Sequence, residues 1–187
     1  MPQEEQNALQ QERLFSLYQD EYNKLKAEQA SRIGFRDNLL YVTLGVVGGV
    51  FAYAFKEPDH VQALLLIPWA CFILGWTYLM NDRAISAIGR YVRNTLTARL
   101  ETDCGVPRDL PFRWEVEHRN DDQRFIRKMF QLLVDLAAFC LSSAVALVAF
   151  VRLVPAPSGM APLLIAFGWL MILVLGGHIV WYAEVSK

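Results

Sequence analysis

The chain has 187 residues, 54% apolar and 20% charged, with a formal net charge of −1. That balance gives no bulk electrostatic reason to expect nucleic acid as a partner, and the length is too short to wrap several wholly apolar helices in a water-soluble core. Cys71, Cys104 and Cys140 stand far apart and two of them lie in apolar runs, which predicts three unpaired thiols rather than a disulfide framework or a Cys/His metal site.

Gln3-Glu4-Glu5-Gln6 near the start lacks the basic and apolar regions of a signal peptide, so membrane insertion is expected to rely on internal segments. Residues 2–36 read as one long helix with Leu14, Leu17, Tyr18, Tyr22, Leu25 and Ile33 set three to four apart among Glu, Gln, Lys and Arg. A stripe that narrow suits packing against a partner helix; the alternative is a solvated helix lying near a membrane. Gly34 allows a kink just ahead of the first apolar run.

Two uncharged runs come next, 38–55 and 61–81, separated by Lys56-Glu57-Pro58-Asp59-His60. At about 1.5 Å per residue each is close to the roughly 30 Å of a hydrocarbon core, which predicts a membrane hairpin. Gly45, Gly49 and Ala52 form a small-residue face in the first run, suited to close helix approach either within the hairpin or between protomers. After the second run, Ile85, Ile88, Val92, Leu96 and Leu100 continue a helix. Since both flanking helices leave the hairpin on one side, an antiparallel stalk is expected, pairing Leu14, Tyr18, Tyr22 and Leu25 with Ile88, Val92, Leu96 and Leu100. Cys104-Gly105-Val106-Pro107 ends it near Asp103, and Pro111 keeps the helix broken.

A polar connector over 104–128 leads into a second hairpin over 129–187, with spans from Gln123 to Val151 and from Met160 to Ala183 around Pro155, Pro157, Ser158, Gly159 and Pro162. The expected class is all-α, a four-span transmembrane bundle with a cytoplasmic antiparallel stalk, divided as 1–103, 104–128 and 129–187. Five Lys or Arg precede the first span, ten lie between Asp82 and Lys128, one follows the last span, and the two turns hold only Lys56 and Arg152. The positive-inside rule then puts both termini and the connector in the cytoplasm of an inner-membrane protein. Tyr41, Tyr53, Trp76, Tyr78, Trp181 and Tyr182 fall near span ends, as an aromatic belt does.

Within the spans, Asp135 lies seven residues past Lys128 and His178 nine before Lys187, a similar depth in antiparallel helices. Ionisable groups at such depth tend to face protein or water with a partner, so the two are candidates for a polar pair or an ion path; the alternative leaves Asp135 at the interface and has His178 snorkel or bond a backbone carbonyl. Arg36, Asp37, Asn81, Asp82 and Arg83 gather at the cytoplasmic mouth, as a network, a vestibule lining or a solvated belt. Ser142 and Ser143 with His178 lack a G-x-S-x-G frame, and His118 with Glu115 and Glu117 has no helical ligand spacing. No enzymatic activity, catalytic residue, metal or cofactor is expected. The lack of a glycine-rich phosphate loop would leave a nucleotide signal to a partner or a protomer interface.

The stretch from Lys24-Leu25-Lys26-Ala27-Glu28-Gln29 through Arg32-Ile33-Gly34-Phe35-Arg36-Asp37-Asn38, the hairpin, and Met80-Asn81-Asp82-Arg83-Ala84-Ile85-Ser86-Ala87-Ile88-Gly89-Arg90-Tyr91 resembles, in layout, small bacterial membrane proteins of the SLATT class. These are two-span effector domains found beside nucleotide-signal synthases in bacterial conflict systems and regarded as pore-forming. The hairpin over 129–183 is an addition to that layout. The resemblance implies a homo-oligomeric, gated pore or membrane-perturbing effector that answers a cytoplasmic signal, in antiviral defence. From another class comes a membrane anchor or signalling scaffold that recruits a soluble partner through its cytoplasmic helices. Apart from Asp135 and His178, only Thr43, Thr77, Ser142 and Ser143 offer polar lining, which is thin for a permanently open pore.

Overall fold

The structure is a computed structural model and describes residues 3–107 and 124–183. Every regular element among them is helical: α1 (Gln3–Ala54), a 3₁₀ segment (Pro58–Leu66), α2 (Ile67–Tyr91), a π turn (Val92–Leu96), α3 (Thr97–Cys104), α4 (Arg124–Asp135), a second π turn (Leu136–Leu141), α5 (Ser142–Leu153) and α6 (Ala161–Tyr182). Four stretches are long and apolar enough to cross a membrane: Leu9–Ala54, Pro58–Cys104, Phe125–Leu153 and Ala161–Tyr182. The chain divides into two compact units, Met1–Gly34 with Asp82–Arg124, and Phe35–Asn81 with Phe125–Lys187.

In the first unit, α1 and the return helix run antiparallel. Tyr18 donates to Asp103, Tyr91 Oη donates to Glu21 Oε1 at 2.7 Å, and Gln29 Nε2 donates to the Ile85 carbonyl at 3.2 Å, so one number falls as the other rises. Val92, Leu96 and Leu100 are buried, with Ile88, Tyr18, Tyr22 and Leu25 half-buried around them. Leu17 and Ile33 depart from the expected stripe and are exposed, and so is Leu14. Because Tyr18 already sits opposite Asp103, a residue one turn earlier lies past the end of α3. That end is fixed by Gly105, whose φ of 67° is left-handed, with Gly105 N–H on Glu101 O and Val106 N–H on Leu100 O.

The buried stripe explains the first π turn. Ile88, Val92, Leu96 and Leu100 are spaced by four, and each such step overshoots a 3.6-residue turn by about 40°. A purely α return helix would carry Leu100 off the face that holds Ile88. The wider π turn at Val92–Leu96 takes up that drift, and Thr97 holds it, since its N–H and its Oγ1 (2.9 Å) both reach Val92 O.

The same device recurs in the second unit. Asp135, Phe139, Ser143 and Leu147 are spaced by four and all buried, and the π turn Leu136–Leu141 lies between the first and third of them. Ser142 closes it, with N–H and Oγ (3.1 Å) on Ala137 O.

Two apolar clusters fill this unit: one of Ala54, Val61, Leu64, Ile67, Cys71, Ala146, Leu147 and Phe150, the other of Leu39, Tyr78, Ala138, Phe139, Leu175 and Ile179. Close approach is set by two glycines. A Cβ on Gly75 would stand 2.8 Å from Leu175 Cδ2 and 3.0 Å from Phe139 Cγ, and one on Gly168 would stand 3.1 Å from Leu147.

α1 continues as helix through Gly34. One expectation about the first hairpin changes. The second run begins as a 3₁₀ segment rather than an α-helix from Val61. Pro68 is the reason: it has no N–H for the Leu64 carbonyl and its ring crowds that carbonyl, so Leu64 O is taken instead by Ile67 N–H, three residues on.

Candidate functional site

Asp135 ends α4 and is 8% exposed. Its place on the stripe of Phe139, Ser143 and Leu147 turns it inward. There the Tyr78 hydroxyl of α2 donates to it and accepts from Gln131 Nε2 at 3.3 Å, one turn before Asp135 on its own helix. Arg36 lies near enough to act on Tyr78 electrostatically and is itself paired with Asp37 at 3.0 Å. Four side chains from three helices thus share one polar setting inside an apolar bundle. A buried carboxylate is retained in such surroundings only with hydrogen-bonding partners.

His178 lies in a different setting. Its Nδ1 meets Val174 O at 2.8 Å, its ring meets the Trp76 ring in a T at 5.3 Å, and Tyr182 is 6.0 Å away. Asp135 and His178, joined by depth in the sequence, therefore take two different partners, Tyr78 for the acid and a backbone carbonyl for the imidazole. Tyr78 was the residue sequence reasoning missed, having been assigned to the aromatic belt. Depth along a helix is one-dimensional and leaves the azimuth open, whereas the four-residue spacing from Asp135 to Leu147 carries it.

The expected mouth divides between the units. Arg36, Asp37 and Asn81 belong to the second, and Asp82 and Arg83 to the first. Asn81 is buried, Asp82 half-buried and Arg83 exposed, as consecutive helical positions about 100° apart require.

Gly45, Gly49 and Ala52 are exposed, and a Cβ on either glycine would meet nothing within 4 Å. The hairpin interior does not use this face. The hydroxyls expected to line a path are bound to their own helices: Thr43 to Leu39 O (2.7 Å), Thr77 to Ile73 O (2.9 Å), Ser142 to Ala137 O and Ser143 to Phe139 O (2.7 Å). Ser142 and His178 each bond a carbonyl rather than one another. His118, Glu115 and Glu117 lie outside the described residues. Cys71, Cys104 and Cys140 are free thiols.

In the first unit, hydrogen bonding to Asp103 raises the Tyr18 phenol above its ordinary pKa, and hydrogen bonding to Glu21 does the same for Tyr91. Desolvation raises the Cys104 thiol. All three hold the neutral form.

Comparison with known protein families, with curated proteins and with solved structures finds no match.

Proposed function

We propose that this is a four-span protein of a bacterial inner membrane, with both termini and the connector cytoplasmic, that assembles as a homo-oligomer and acts as a gated pore or membrane-perturbing effector under a cytoplasmic signal. The observation that carries the reading is the contrast between apolar helices. Only 17% of the most apolar stretch of Leu9–Ala54 and 22% of that of Ala161–Tyr182 are buried, against 33% for Phe125–Leu153 and 44% for Pro58–Cys104, and the open side of the first includes the Gly45, Gly49 and Ala52 face. In lipid, small residues exposed in this way favour a second helix at close range. The hydroxyls of one protomer are bound to their own helices, so a water path would run between copies about an axis rather than through one bundle. The layout resembling conflict-system effectors makes antiviral defence the setting proposed for it, with the Asp135–Tyr78 setting as the polar group nearest a gate.

The test is reconstitution into vesicles with conductance and dye release read in the presence of cytoplasmic extract, beside native mass spectrometry of the assembly. A protein that stays monomeric in mild detergents and nanodiscs and never conducts overturns the pore reading. Topology is read separately by cysteine labelling: protection at Pro58, or labelling from outside at Glu4 or Val116, contradicts it.

A scaffold reading draws on a different observation. Leu14 and Leu17, about 60° apart on one face, are exposed on the polar half of α1, and an apolar pair there suits recruitment of a soluble partner's helix. It predicts membrane anchoring without conductance.

A further inference from the structure

His178 borders an open cavity. A notch of about 590 Å³ lies on α6, lined by Leu173, Val174, Gly177, His178, Trp181 and Tyr182. Its floor is Gly177, where a Cβ would meet nothing within 4 Å. One end is aliphatic, through Leu173 and Val174. The other is aromatic, with the Tyr182 ring 6.0 Å from the imidazole and Trp181 exposed beside it, while Trp76 of α2, outside the lining, meets the same imidazole in a T.

The imidazole's chemistry is set by its bond to Val174. A carbonyl oxygen only accepts, so the 2.8 Å contact requires the proton on Nδ1. In the neutral ring Nε2 is then a bare acceptor. Among the described residues no protein donor takes it. An acceptor nitrogen amid aromatic rings, above an aliphatic slot, complements a ligand that carries N–H donors and positive charge at one end and a hydrocarbon chain at the other.

We propose that this notch is a specific lipid site for an ethanolamine-headed phospholipid. The headgroup ammonium donates to Nε2 of His178 beside the aromatic rings, and one acyl chain runs over Gly177 along Val174 and Leu173. His178 lies five residues before Ala183, so the ammonium sits about 7 to 8 Å along the helix from its end. That depth suits the boundary between headgroups and chains, where Trp and Tyr anchor spans. A choline headgroup shares the charge but has no N–H to donate, and a glycerol headgroup has no ammonium. The site therefore ranks ethanolamine above both.

This proposal rests on the membrane reading, and one experiment separates their failures. The full chain is reconstituted into vesicles containing equal amounts of ethanolamine-, choline- and glycerol-headed lipids with identical chains. It is tested for flotation with them, then extracted in mild detergent, and its retained lipids are identified by native mass spectrometry. The native chain is expected to retain the ethanolamine lipid roughly three- to tenfold over the choline lipid, the range one hydrogen bond supplies. His178→Phe, which keeps a ring and loses the acceptor, should erase that preference. Gly177→Leu puts a side chain into the notch at a position where its first carbon meets nothing within 4 Å, and should lower retention of all three lipids. A chain that floats but retains the three equally, or keeps the preference in His178→Phe, overturns the site alone. Gly177→Leu changing oligomer size while lipid retention stays native reassigns the notch to a second copy and overturns it too. A chain that does not float with the vesicles overturns the membrane reading and this site with it.

Discussion

In the first unit two helices meet through Val92, Leu96 and Leu100 and are edged by hydrogen bonds, Tyr18 to Asp103, Tyr91 to Glu21 and Gln29 to Ile85. In the second, helices meet where Gly75 and Gly168 leave room and Phe139, Leu175 and Leu147 fill it. A polar edge fixes register, because each donor must find its acceptor. Glycine against a bulky residue fixes distance, because nothing else lets the backbones come so near. The same contrast separates two kinds of glycine. Gly45 and Gly49 carry the recognisable G-x-x-x-G spacing and face open space, whereas Gly75 and Gly168 carry no motif and hold the bundle. What makes a glycine a packing residue is the large side chain opposite, and that lies on another helix.

The strongest way to break this contrast is Gly75→Leu. A first carbon already meets Phe139 and Leu175 at 2.8 to 3.0 Å, so the larger chain should cost about 3 kcal/mol or more, or prevent folding, as read from the thermal transition in mild detergent. Next comes Leu96→Asp in the first unit, where Leu96 has no exposed surface. An unpartnered carboxylate there should cost about 3 kcal/mol. Hydrogen exchange should rise across 82–104 first, and uniform exchange would argue that the units are not separately stable.

Ser142→Ala tests the pinning of the second π turn and should cost about 1 kcal/mol, with the downfield shift of the Ala137 carbonyl signal lost. Gly45→Leu with Gly49→Leu should leave protomer stability within about 1 kcal/mol of native or above it, because leucine is the better helix former and its first carbon meets no neighbour within 4 Å. Oligomer size should fall in the same double variant, and an unchanged assembly would remove that face from the interface.

The smallest effect is a pH dependence. Tyr18 has its phenol pKa raised by Asp103, so its contribution is present below the ordinary tyrosine value near 10 and is lost as pH rises through the raised folded value. Thermal scans between pH 9 and 12 should show a decline that Tyr18→Phe reduces. A decline of equal size in the variant would assign it to other groups.

The sequence displays the four apolar stretches and the antiparallel partners openly, since Leu96 and Leu100 announce a face and Gly105-Val106-Pro107 announces its end. Both π turns were hidden, although their cause was in view: steps of four look helical one at a time, and only their accumulated drift demands a wider turn. Pro68 likewise stood inside the second run, and its missing N–H decided where α2 begins. For Asp135 the residue itself was legible and its partner was not, because tyrosines near span ends are common in aromatic belts and Tyr78 met that description. Gly75 was invisible because its role is written at Phe139 and Leu175, distant in the chain.

The π turns also bear on how the chain tolerates changes in its length. Each holds one residue more than an α-helix needs to keep the same downstream face. Removing a single residue between Asp135 and Phe139 would let the turn relax to α and leave Ser143 and Leu147 still facing inward. The same deletion between Ser143 and Leu147, where the helix has no surplus, would swing everything beyond it by about 100°. Shortened variants should therefore survive at Leu136–Leu141 and at Val92–Leu96 and fail a turn away, so the two places where the helices are widest are where the gene can most safely lose a codon.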